Sequence, residues 1–116
     1  MHPTTSGEFV DLVEMPFSWS LDDFPFFEYT SSRHGISPGL ADPGRVYDVW
    51  AGDFDYLYGK MGKGVFILTM HPQVIGRGHR MLMLERFIRY LKSHDGVTFS
   101  TMGDFVQRWR AAHPSP

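Results

Sequence analysis

The chain has no cysteine, which removes disulfides, thiolate metal sites, iron–sulfur clusters and cysteine nucleophiles together. Long apolar runs are also missing: Val65 to Leu68 is as long as any, far short of the roughly 20 residues a membrane-spanning helix needs. No glycine-rich phosphate loop is present, because Gly76-Arg77-Gly78 lacks a third glycine and a preceding strand in register. The six histidines show no HxH, HxxxH or HExxH spacing, so a metal site built from this chain alone is not expected. Met1-His2-Pro3 has neither a basic start nor an apolar segment behind it, so the expected location is cytoplasmic, without a secretory leader.

What is present suits one globular unit. At 116 residues, 42% hydrophobic and 21% charged, the composition is neither disordered nor collagen-like. Ten Phe, five Tyr and three Trp supply a modest core. Charge of one sign is scarce in each half. Residues 1–58 hold ten acids against two bases, and residues 59–116 hold nine bases against three acids. Such a split suits mutual attraction or pairing across a subunit interface, and nucleic acid is not the expected partner.

The pattern along the chain alternates strand and helix. The apolar residues between 9 and 18 predict a strand ending near Trp19, and residues 20–45, rich in Ser, Gly, Pro and aromatics, predict a long functional loop. Val49, Trp50, Phe54, Leu57 and Tyr58 predict an amphipathic helix stopped by Gly59 and Gly62. The continuous run at 65–70 predicts a strand buried on both faces. A second helix has Met81, Leu84, Phe87, Ile88 and Leu91 inward, with Arg80, Glu85, Arg86, Arg89 and Lys92 outward. A brief strand at 97–100 follows, and Thr101 with Asp104 resembles a capping box opening a third helix. This order predicts three parallel strands with helical crossovers. Three such units cannot close a barrel, so a part of a larger β/α fold is expected, with apolar surface that a partner covers.

His71 stands directly after the run at 65–70 and before Pro72, at the end of a strand where active sites of β/α folds collect. Asp22 and Asp23 follow the first predicted strand in the same way. An imidazole with a carboxylate partner suits general acid–base work near neutral pH; the plain alternative is a turn histidine and a capping aspartate. A cluster such as Trp19, Phe24, Phe26, Phe27 and Tyr29 is more often core than ligand cage, though in a long loop it can line a sugar- or ring-binding groove. Arg77, ahead of the second helix, can hold an anion or be a surface turn residue.

Two segments carry a family resemblance. Leu68-Thr69-Met70-His71-Pro72-Gln73-Val74-Ile75-Gly76-Arg77-Gly78-His79-Arg80, with Met83 to Ile88 and Val97 to Thr101, looks like the C-terminal end of polysaccharide deacetylases with the NodB homology domain. The likeness is to the branch that includes intracellular peptidoglycan-deacetylase-like and allantoinase-like proteins. Val13 to Phe24 resembles the preceding motif of that branch. The resemblance implies an α/β fold, the C-terminal portion of a distorted (β/α) barrel, with all of residues 1–116 belonging to one such domain. It implies that His71 is the general acid and Asp22 the acid of the preceding motif, with Trp19, Asp23, Phe24 and Arg77 as substrate-binding candidates. It further implies a divalent metal, zinc foremost, in the complete enzyme, held by early motifs absent here. The expected partner is therefore a missing N-terminal half or second subunit, with a homo-oligomer also expected. The expected activity is hydrolysis of a C–N amide bond in an acetylated amino sugar or other small molecule. An allantoinase-like cyclic amide hydrolase and a non-catalytic assembly fragment are the alternatives.

Overall fold

Val46, Trp50 and Phe54 recur every fourth residue behind Asp42-Pro43, and in the computed structural model of the chain, which describes residues 11–114, they line the buried face of helix α2. With the short α1 (Phe24–Phe27) ahead of it, α2 runs over Pro43–Tyr56. Asp42 caps it by accepting the Arg45 N–H on its side chain, the bond a first helical turn otherwise lacks. Gly62, left-handed at φ 74°, ends the π turn Leu57–Met61 that follows.

The chain divides into two compact units. The larger, residues 16–98, holds the core. Here α2 lies against α4 (Gly78–Lys92), which contributes Met83, Leu84, Phe87 and Leu91, while α3 (Pro72–Ile75) contributes Val74 and Ile75. Trp50, Phe87 and Tyr47 meet edge-on or tilted at centroid distances of 5.7–5.8 Å, the geometry that aligns ring edges with ring faces.

The helix facings depart from the expected ones at several positions. Arg80, expected outward, is buried at 5% exposure. Met81 and Ile88, expected inward, are exposed, as is Val49 on α2. The buried stripe of α4 runs Arg80, Leu84, Phe87, Leu91, a consistent helical face that begins one residue earlier than the apolar pattern suggests.

The three expected strands do not form a sheet. Residues 9 and 10 lie outside the described residues, and 11–18 are not a strand. Residues 97–100 pair with no described strand, and 65–70 makes one bridge, Thr69 parallel to Asp22. A ladder needs a paired neighbour along its whole length, and no described segment pairs with Val65 to Leu68. The parallel sense is as expected, but the first partner is residues 21–23 rather than 9–18. The expected long loop contains α1 and an antiparallel hairpin, β1 (Thr30–Ser32) with β2 (Gly35–Ser37), in register Ser31 opposite Ile36. Gly39 closes the return from this hairpin at φ 57°, where a Cβ would come within 2.3 Å of the Glu28 carbonyl carbon.

The smaller unit takes residues 1–15 and 99–116, of which 11–15 and 99–114 are described. Its helix α5 (Met102–Ala112) opens as expected: the Thr101 hydroxyl accepts the Asp104 N–H at 3.1 Å. Arg110 pairs with the Asp11 carboxylate at 3.2 Å.

Candidate functional site

The parallel bridge brings two distant segments together. Thr69 N–H donates to the Leu21 carbonyl at 2.8 Å, and Asp23 N–H donates to the Thr69 carbonyl at 3.1 Å. Trp50 braces the same segment, its indole N–H donating to the Ser20 carbonyl at 3.0 Å. Both segments then turn at once into a one-turn helix containing proline near its start. Pro72 holds His71 extended, at φ −118° and ψ 124°, and opens α3. On the other side Asp22 receives the Phe24 N–H on Oδ1 at 2.8 Å as α1 begins, with Pro25 in its first turn.

This geometry faces His71 with Asp23. The Asp23 carboxylate accepts the His71 backbone N–H on Oδ2 at 2.9 Å, and its Oδ1 lies 2.7 Å from His71 Nδ1. Asp23 is fully buried, whereas the His71 side chain is 37% exposed. The bonded proton on Nδ1 leaves Nε2 outside this contact, without a hydrogen bond to any described residue. The hydrogen bond to Asp23 is the first cause that raises the His71 pKa above its ordinary value, against partial desolvation, and the charges of Asp23 and Asp22 add to it.

Asp22 lies 3.9 Å from Nδ1, beyond hydrogen-bond reach. The orienting contact expected of Asp22 therefore falls to its neighbour. Asp23, expected to hold substrate, has each of its oxygens bonded to His71. Phe24 borders the imidazole edge-on at 5.8 Å. Trp19 is exposed and meets Phe17, and Arg77 is exposed with no side-chain bond to a described residue. Arg80 was the residue missed, although its place on the stripe of Leu84, Phe87 and Leu91 marked it as inward.

Ligand atoms of Asp22, Asp23 and His71 lie within 4.8 Å of one another, close enough to suggest a cation. The donor set does not fit one. Asp23 Oδ1 and His71 Nδ1 are bonded to each other, Asp23 Oδ2 holds the His71 backbone N–H, and Asp22 Oδ1 holds the Phe24 N–H, so a metal would displace the bonds that define the site.

A buried carboxylate oriented on a half-exposed imidazole, at the end of a parallel pairing, is an acid–base arrangement of the kind β/α enzymes carry at that edge. No family model matches the chain. A peptidoglycan deacetylase of Helicobacter pylori is 32% identical over 114 residues, an alignment that takes in 98% of this chain and 39% of the relative. A crystal structure assigned as a polysaccharide deacetylase from Mycobacterium smegmatis superposes with a TM-score of 0.76 at 27% identity, over 87% of this chain and 34% of that one. The crystal structure of PuuE allantoinase superposes at 0.71 and 25% identity, over 88% of this chain and 32% of that one. The chain is thus a homologue of the polysaccharide deacetylases that matches their C-terminal part, and its fold is a portion of their (β/α) barrel. It spans about two-fifths of the length of the H. pylori relative.

Proposed function

We propose that this chain supplies the proton-donating side of a C–N hydrolase of the polysaccharide-deacetylase type. The Asp23–His71 pair carries the reading. Nδ1–H stays on the carboxylate, the raised pKa favours the imidazolium near neutral pH, and Nε2–H donates its proton to the departing amine nitrogen. In the reaction the amide C–N bond breaks, water oxygen bonds to the carbonyl carbon, and the water's surplus proton goes to a base that is not among the described residues. His71 ends neutral and regains its proton from solvent. The groups that attack, and any divalent metal they hold, are assigned to a partner polypeptide or to further chain. In support, the chain spans only 39% of its H. pylori relative, and the run at 65–70 is half-exposed rather than enclosed. Phe24, edge-on to His71, is the candidate wall for a sugar ring.

The similarity to an allantoinase favours one second reading, opening of a cyclic amide by the same proton donor. The test is a chimera in which residues 1–116 replace the matching segment of the H. pylori deacetylase, assayed for acetate release from an N-acetylated amino-sugar oligomer and for opening of a cyclic amide. The expected result is release of acetate, with His71→Ala lowering turnover by about 10²- to 10⁴-fold, the range for loss of a general acid. Undiminished turnover in the His71→Ala chimera would remove the reading, and turnover of the cyclic amide alone would select the second one.

A further inference from the structure

Arg80 is a buried cation with no carboxylate partner among the described residues. Its Nη1 donates to the Val74 carbonyl at 2.6 Å and its Nη2 to the Phe27 carbonyl at 3.4 Å. The guanidinium carbon sits 4.5 Å from the centroid of the Phe27 ring, and Nε, also buried, has no hydrogen-bond partner among the described residues. Burying a charge on such terms is costly, since carbonyl dipoles and a ring face replace a full counter-ion and one donor is left unmet. A well-packed apolar side chain would serve stability alone as well or better.

The two carbonyls are not arbitrary. Phe27 N–H donates to the Asp23 carbonyl at 3.1 Å, and Val74 N–H donates to the His71 carbonyl at 2.8 Å. Each acceptor of Arg80 therefore lies one hydrogen-bonded turn beyond a member of the acid–base pair, at the C-terminal end of α1 on one side and of α3 on the other. Carbonyls at helix ends are the partially negative groups that a cation satisfies. The planar fork reaches both at once, which a lysine ammonium on a flexible stem cannot reproduce in the same geometry.

We propose that Arg80 is a positioning residue: it clamps α1 to α3 from behind and so fixes the distance between Asp23 and His71. This rests on the reading of that pair as the proton donor, and it adds a residue that touches neither the pair nor substrate. The clamp keeps two one-turn helices, each too short to hold its place by its own bonds, at a fixed separation, so that the buried carboxylate stays within hydrogen-bond reach of Nδ1.

The experiment is a pH titration of the His71 imidazole by NMR in the full chain, for the wild type, Arg80→Met and Arg80→Lys, with thermal unfolding recorded beside it. The charged groups acting on His71 among the described residues are Asp22 and Asp23. Loss of the Arg80 charge alone would raise the imidazole pKa, whereas loss of alignment with Asp23 lowers it, so the two effects have opposite signs. The expected result is a midpoint that falls toward the ordinary value of about 6.5 in both variants, including Arg80→Lys, which keeps the charge. A folded variant whose His71 midpoint is unchanged or raised overturns the proposal. Failure of both variants to fold overturns it too, since Arg80 would then serve the fold as a whole. The wild-type curve separates this proposal from the reading beneath it: an unraised wild-type midpoint removes the acid–base pair itself.

Discussion

Because both Asp23 oxygens are taken up by His71, one by the backbone N–H and one by Nδ1, an asparagine there sets an amide NH2 against a backbone donor or against Nδ1–H. Asp23→Asn should therefore lower the His71 pKa and turn the imidazole toward the Nε2–H tautomer, both visible in nitrogen-15 NMR; an unshifted titration would place the cause elsewhere. The same bond has a consequence for stability. The folded pKa of His71 is raised, so its contribution is fully present below the unfolded value of about 6.5 and is lost as pH rises through the folded value. Wild type should thus lose its advantage over His71→Gln as pH rises from about 6 to about 8, read by urea unfolding at each pH. An advantage that grows with pH would reverse the sign and refute the assignment. The place of His71 could be read from the apolar run before it and the proline after it. The choice between Asp22 and Asp23 could not, because both carboxylates come close to the imidazole, and what separates 3.9 Å from 2.7 Å is the backbone change from extended at Asp22 to helical at Asp23, where α1 begins.

At the scale of elements, local chemistry was legible and pairing was not. The cap at Thr101, the stop at Gly62 and most of the buried face of α4 depend on contacts a few residues apart, which the sequence displays directly. The strand at 65–70 depends on neighbours that no local pattern can supply, and only Thr69 finds one. Residues 20–45 read as one loop because their order comes from single turns set by Asp, Pro and Gly, each too short to show a period. Trp50 joins the two levels. Fully buried on α2, it reaches the Ser20 carbonyl just ahead of the bridge. Trp50→Phe removes that bond and part of the ring volume, and should cost about 1 to 3 kcal/mol. Faster hydrogen exchange at the Asp23 and Thr69 amides is expected with it, because the bridge loses its brace. If the stability falls while those two amides keep their protection, Trp50 fills the core without holding the site.

For the molecule as a whole, the segment from Val65 to Leu68 is the point where the fold is open. Parallel strands with continuous apolar runs are covered on both faces in β/α proteins, yet here Val65 is 47% exposed and Phe66, Ile67 and Leu68 are half-buried. Their backbone groups make no backbone hydrogen bond with a described residue, in contrast to the helical amides around Trp50 and Phe87. The corresponding segment of a complete barrel has a neighbour on each edge, and an unpaired edge is a template for another strand. In dilute chain, amides 65–68 should therefore exchange orders of magnitude faster than those in the middles of α2 and α4, whose opening approaches global unfolding. Mixing with a polypeptide that carries the rest of a deacetylase barrel should slow them selectively. Protection that rises with chain concentration alone would identify a second copy as the covering partner, in line with the expected homo-oligomer. Full protection in a chain shown by sedimentation to be monomeric would contradict the open edge, and with it the proposal that this segment awaits the remainder of a barrel.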